Sequence, residues 1–195
     1  MRIGIYGGSF NPIHKGHTQL AKWLVKAGVV DAVWLMVSPQ NPLKPAEGLL
    51  DDATRLRMAK IGIRATKCRS VEVSDFEFTL PKPSYTADTL AALRAAYPQH
   101  EFVLIIGADN WLVFDRWSRP EEILRHHHVV IYPRPDYDID PATLPAQVSL
   151  VNTPLLPISS TWIRNEIATN PAYDGEGLAA DVWKFIKAEG LYEGD

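Results

Sequence analysis

The sequence predicts a doubly wound α/β fold: a mainly parallel sheet with helices on both faces. Three observations carry this. Short β-branched runs alternate with longer segments of helical period along the 195 residues. The runs lack a strict apolar–polar alternation, as expected of parallel strands buried on both sides. Two of them end in glycine, at Gly7-Gly8 and at Gly107, and in such sheets the ligand crevice lies at the carboxyl ends of the strands.

The elements follow in order. Residues 2–6 (RIGIY) read as a buried strand feeding the glycine turn. Residues 17–27 place Leu20, Trp23, Leu24 and Ala27 at helical spacing, with Gly28 as the stop. Residues 32–37 (AVWLMV) form a second strand, closed by Ser38-Pro39. Asp51 or Asp52 caps a helix running to about residue 65, with Leu56, Ala59 and Ile63 inward. Residues 71–73 are a weak third strand, and 85–97 a helix with Leu90, Leu93 and Ala96 inward. Residues 102–106 (FVLII) are a strong strand. Pro120, followed by Glu121 and Glu122, opens a helix over 120–126, where the positive end of the dipole favours acid. Strands at 129–132 and 148–151 and helices at 160–169 and 178–189 complete a Rossmann-like arrangement.

Composition narrows the function classes. Charged residues are 22% and hydrophobic ones 46%, too apolar for disorder and ordinary for a globular chain. The net charge of −3 lacks the basic excess of a general nucleic-acid binder. The single cysteine, Cys68, cannot form an intrachain disulfide, which points to a reducing compartment and a cytoplasmic location. Residues 1–6 run straight into glycines, so no signal peptide is expected, and no apolar stretch approaches a membrane span.

Two segments carry chemistry. The first is GGSFNPIHKGH, residues 7–17. Gly7 and Gly8 allow close backbone approach to a ligand, and a following helix offers N–H groups that suit phosphate. His14 and His17 sit where that helix begins, able to donate hydrogen bonds to phosphate oxygens as charge builds. The same letters also describe a plain glycine turn with surface histidines. They match neither a dinucleotide-binding fingerprint nor a Walker A loop, and no third zinc ligand is nearby. The second segment is ISSTWIR, residues 158–164. Ser159, Ser160 and Thr161 exceed what one N-cap needs, and Arg164 lies one turn further in to pair with phosphate; an ordinary cap with a solvated arginine is the alternative. The run His126-His127-His128 spans a helix end and a strand start, where neighbours point apart, so a metal role is not expected.

Taken together, GGSFNPIHKGH and ISSTWIR resemble the nucleotidyltransferase superfamily marked by (H/T)xGH and ISSTxxR. SYTADTL at 84–90, Gly107-Ala108-Asp109 with Trp117, Arg55-Leu56-Arg57-Met58 and Pro133-Arg134-Pro135 narrow the resemblance to the bacterial nicotinate-nucleotide adenylyltransferase family, over nearly the whole chain. Two positions depart from the family pattern. Asn11 stands where Asp is common, a near-isostere that should preserve the turn. Pro42-Leu43 precedes Lys44 where a His often stands, which removes one phosphate donor.

The resemblance implies adenylyl transfer from ATP to nicotinate mononucleotide, giving deamido-NAD and pyrophosphate. It implies one nucleotidyltransferase domain over 1–195, with the helical part from about 158 completing the ATP site. The nucleophile is an anionic phosphate oxygen, so no serine, cysteine or strong base is required. His14, His17, Lys44 and Arg164 are expected at the reacting phosphates. Gly8, Ser9, Phe10, Gly107, Asp109, Ser159, Ser160, Thr161 and Arg164 are expected to bind ATP, with Asp109 either on ribose hydroxyls or capping the next helix. Tyr85, Thr86, Trp117 and Arg134 are expected around the mononucleotide: Trp117 stacks on the pyridine ring, and backbone N–H groups near Tyr85 and Thr86 meet its carboxylate. Arg134 runs along the adenine or phosphate side. Mg²⁺ is expected on the ATP phosphates rather than on protein ligands. No nucleic-acid or membrane partner is expected, and homo-oligomer formation stays open. Competing readings are nicotinamide mononucleotide or phosphopantetheine as acceptor, a cytidylyltransferase, and a non-catalytic nucleotide-binding module.

Overall fold

The structure, a computed structural model, describes residues 1–39, 48–154 and 156–193. Its strands are β1 (Arg2–Gly8), β2 (Ala32–Val37), β3 (Val71–Ser74), β4 (Glu101–Gly107), β5 (His128–Tyr132) and β6 (Val148–Leu150). They form one sheet in the order β3-β2-β1-β4-β5-β6. Every pairing is parallel. The helices are α1 (Lys15–Lys26), α2 (Asp52–Thr66), α3 (Thr86–Ala96), α4 (Ala108–Trp111), α5 (Pro120–His126), α6 (Ser160–Thr169) and α7 (Ala180–Ala188).

Alternate strand residues feed two core layers. On one face Val33, Leu35, Val103, Ile105 and Val130 meet Leu24 of α1, Met58 of α2, Ile163 of α6 and Val182 of α7. On the other Ile3, Ile5, Leu104, Ile106 and Ile131 meet Leu90 and Leu93 of α3, Ala108 of α4 and Ile123 of α5. The predicted doubly wound fold is therefore the observed one. The strand order reverses between β1 and β4, where Tyr6 pairs with Ile105, so the crevice opens where both strands end in glycine. Among the described residues no helix is long and apolar enough to cross a membrane.

Three helix faces differ from the sequence reading. Along α1 the buried side chains are Thr18, Leu20, Ala21 and Leu24, while Ala27 is the exposed C-cap. Along α3 Leu90 and Leu93 are buried but Ala96 is exposed. In α2 the inward stripe is Arg55, Met58, Ala59, Gly62 and Ile63, and Leu56 is only half-buried. Ala59 and Ile63 face inward as expected; an i, i+3, i+4, i+7 stripe anchored on an arginine reads as polar at its first position, so the sequence favours Leu56 where Arg55 is the buried residue. Helix α4 and short 3-10 turns at Phe76–Thr79 and Phe114–Arg116 were absent from the sequence reading. Elements of three or four residues are too short to show a period.

Candidate active site

The loop after β1 is organised by its own histidines. His14 is the N-cap of α1: its Nδ1 accepts the Gly16 N–H at 3.1 Å. His17 Nδ1 in turn accepts the His14 N–H at 3.2 Å. The pair forms a capping box in which imidazoles replace the usual hydroxyl and carboxylate. With both Nδ1 atoms accepting, the neutral rings carry their protons on Nε2. The rings stack with centroids 3.6 Å apart. Gly16 is required by this closeness, since a Cβ there would lie 2.9 Å from the His14 ring. His14 is 5% exposed rather than a surface residue. Burial, helped by the positive charge of Arg134, pushes its pKa down to about 3, so it is a neutral donor at physiological pH. Phe10, with φ of +46°, turns the chain back and packs its ring edge-on 5.0 Å from His17.

The second motif docks on the first. Ser159 caps α6, accepting the Trp162 N–H at 3.1 Å. Ser160 Oγ donates to the Pro12 carbonyl at 2.9 Å. Arg164 Nη1 donates to the Asn11 carbonyl at 2.8 Å, and its Nη2 lies 3.4 Å from Thr161 Oγ1. Residues about 150 apart in sequence thus fasten the N-terminus of α6 beside the histidines. The cap predicted as the alternative for this segment is real at Ser159, and Arg164 is tied to backbone rather than merely solvated. Asn11 is buried and bridges further. Its Nδ2 donates to the Gly48 carbonyl at 2.9 Å, a bond that Asp could not make. Its Oδ1 accepts from Tyr192 Oη at 2.7 Å.

Beyond the β1 and β4 ends lies a cavity of about 190 Å³. Gly8, Ser9, Tyr85, Thr86, Gly107 and Trp117 all border it, so residues expected for ATP and for the mononucleotide share one wall. Tyr85 is the N-cap of α3 and makes no side-chain cap bond, which leaves the first-turn N–H groups without that partner. Trp117 is half-buried and its Nε1 is a buried donor with no hydrogen bond. Tyr6 and Tyr132, side by side at the inner end, are held protonated chiefly by burial. A Cβ on Gly107 would run into the Asp109 carboxylate. Asp109 does not cap α4, whose N-cap is Gly107. Its Oδ1 is buried, 3.5 Å from Arg134 Nε and without a hydrogen bond. Arg134 thus faces Asp109 and the His14 side rather than the cavity wall. Lys44 lies outside the described residues. Among the described residues no three His, Cys, Asp or Glu converge as metal ligands. His127 bonds the Phe102 carbonyl at 2.9 Å through Nδ1, while His126 and His128 are exposed.

Sequence reasoning missed two residues here. Arg55 is wholly buried and donates to the carbonyls of Ser9 (2.7 Å), Ser38 (2.8 Å), Pro39 (3.1 Å) and Leu50 (2.9 Å). Asp52 Oδ1, at 2.6 Å, offsets the burial of its charge. Arg55 therefore holds the loop after β1 and the end of β2 from behind. The signal available in sequence was an arginine in phase with Ala59 and Ile63. Glu77 is the second, a buried carboxyl in the cavity wall; nothing in its local sequence distinguishes it from a surface acid.

The comparisons with known proteins agree on one kind of relative. The family model described as cytidylyltransferase-like matches residues 5–166, which spans both motifs. A probable nicotinate-nucleotide adenylyltransferase of Bacteroides fragilis is 46% identical over 168 residues, covering 86% of this chain and 83% of that protein. One from Flavobacterium johnsoniae is 37% identical, covering 99% of this chain and all of that protein. A Plasmodium falciparum nicotinic acid mononucleotide adenylyltransferase, solved with NaAD, superposes with a TM-score of 0.80 over 98% of this chain and 97% of that one, at 21% identity. That last likeness is one of fold.

Proposed function

The chain belongs to the nicotinate-nucleotide adenylyltransferase family, and from that premise we infer its reaction: it transfers the adenylyl group of ATP to nicotinate mononucleotide, giving nicotinate adenine dinucleotide and pyrophosphate in NAD biosynthesis. A phosphate oxygen of the mononucleotide, anionic at neutral pH, attacks the α-phosphorus. The bond to the α–β bridging oxygen breaks, and its electron pair leaves with pyrophosphate.

The observation that carries the mechanism is the docking of α6 on the histidine loop through Ser160 and Arg164. It supports one phosphate-binding face made from both ends of the chain, and with it a single unit over 1–195. In this reading the Nε2–H donors of His14 and His17 meet the α- and β-phosphates and take up charge as pyrophosphate leaves. Thr161, the N–H groups of α6 and the backbone of Gly8, Ser9 and Phe10 line the rest of the triphosphate path. The orphaned Asp109 Oδ1 fits a ribose hydroxyl, which would supply the donor it lacks. Trp117 flanks the pyridine ring, and the N–H groups beginning α3 receive the carboxylate. A magnesium ion fits as one borne by the phosphates, since Mg²⁺ keeps its waters and needs few protein ligands. When bound, it neutralises charge on the triphosphate.

Pyrophosphate release from ATP, run in parallel with nicotinate mononucleotide, nicotinamide mononucleotide and phosphopantetheine, tests this reading. A strong preference for the first is expected, because a site that pairs one polar group rejects a substituent that leaves its donors unmatched. Preference for another acceptor would remove the pocket assignment and keep the transfer chemistry.

A further inference from the structure

Glu77 sits in the wall of the acceptor cavity at 7% exposure. A buried carboxyl is costly unless its oxygens are hydrogen-bonded. Here the partners are hydroxyls rather than cations. Thr89 Oγ1 donates to Oε1 at 3.0 Å, and Ser84 Oγ lies 3.5 Å from Oε2. Ser38, at the end of β2, is a third hydrogen-bonding neighbour. Ser84 and Thr89 are themselves buried, at 8% and 1% exposure. These three hydroxyls come from three segments: the end of β2, the loop before α3, and the first turns of α3. All of them, with Tyr85 and Thr86, border the same cavity.

We propose that Glu77 is a positioning residue for acceptor recognition: by gripping Ser84 and Thr89 on either side of Tyr85 and Thr86, it fixes where the first N–H groups of α3 meet the acceptor's carboxylate. The inference rests on the acceptor reading given above. Tyr85 contributes no side-chain cap. Its carbonyl accepts from the Thr89 N–H at 3.0 Å and lies 3.3 Å from Thr89 Oγ1, so the residue that Glu77 grips is the one on which this turn closes. Burial raises the Glu77 carboxyl while the three hydroxyls oppose that shift, so its oxygens are occupied from within the wall rather than offered to the ligand. A group with this arrangement shapes the binding of the acceptor without touching the reacting phosphates.

The test is a separation of kinetic constants. Glu77→Leu should raise KM for nicotinate mononucleotide about tenfold, the equivalent of one charged-group hydrogen bond at the acceptor. The KM for ATP and kcat should stay within about twofold, since only acceptor binding is lost. Glu77→Gln keeps the shape and one acceptor oxygen, and should recover most of the loss. Should the leucine variant fail to fold, Thr89→Val and Ser84→Ala each remove one arm and should each raise the same KM in part. An unchanged acceptor KM in these folded variants, or an ATP KM that rises in step, overturns the proposal. A native protein that releases no pyrophosphate with nicotinate mononucleotide overturns the acceptor reading itself, and this inference with it.

Discussion

The proposed phosphate side and the proposed acceptor side of the crevice are built by different means. On the phosphate side each side chain is tied to backbone of the one loop after β1: His14 to Gly16, His17 to His14, Ser160 to Pro12, Arg164 to Asn11. On the acceptor side the wall is drawn from the ends of β1, β2, β4 and β5, the start of α3 and the turn at Trp117, and it holds an unpartnered Trp117 Nε1. A phosphate chain is recognised by N–H groups and dipoles that any backbone supplies once it is bent correctly, so a short motif suffices. A flat ring with one polar substituent needs a shaped cavity, and side chains from many segments must converge to make it.

The largest expected effect comes from breaking what the two sides share. Arg55 ties Ser9 on the phosphate loop to Ser38 at the acceptor wall. Arg55→Ala leaves the carbonyls of Ser9, Ser38, Pro39 and Leu50 without their donor and removes a wholly buried side chain, and should cost about 3–5 kcal/mol of stability. Urea unfolding would read this, and a loss below about 1 kcal/mol would show the two sides to be independently built.

Next is His17→Ala, which should lower kcat by about 10²–10³ while leaving the acceptor KM near native, as loss of one donor to developing charge does elsewhere. The fold should survive with a penalty of about 1 kcal/mol, because the variant also removes the acceptor for the His14 N–H. A kcat within threefold of native would end the assignment of His17 to the phosphates.

The smallest effect sharpens the electrostatic side of the contrast. His14 has its pKa lowered to about 3, first by burial and then by Arg134. Between its unfolded value of about 6.5 and that value the unfolded chain binds the extra proton, so stability falls as pH drops through this window. From pH 7 to 4.5 this group should account for about 2–3 kcal/mol of lost stability. His14→Asn keeps a capping acceptor but does not titrate, and its unfolding free energy should fall less over the same range. Parallel pH profiles for the two proteins would mean that His14 is protonated in the folded state.

How far the sequence reached follows the same division. The alternation of strands and helices, both histidines and the ISSTWIR segment were legible because each rests on a local pattern: an apolar run, a spacing of three, a hydroxyl-rich helix start. Sequence alone determined the parallel sheet, and it singled out the two segments that the proposed phosphate-side residues come from. It took the histidines as surface groups in its plainer reading, since burial is not a local property. Only the tertiary structure decided that Arg55 is a core residue, that Glu77 belongs to the cavity wall, and that Ser160 and Arg164 clasp Pro12 and Asn11. The physical reason is that a buried polar group is tolerated only where partners from distant segments satisfy it. Those partners are backbone carbonyls and hydroxyls, which every sequence contains and which become specific only when the fold brings them together.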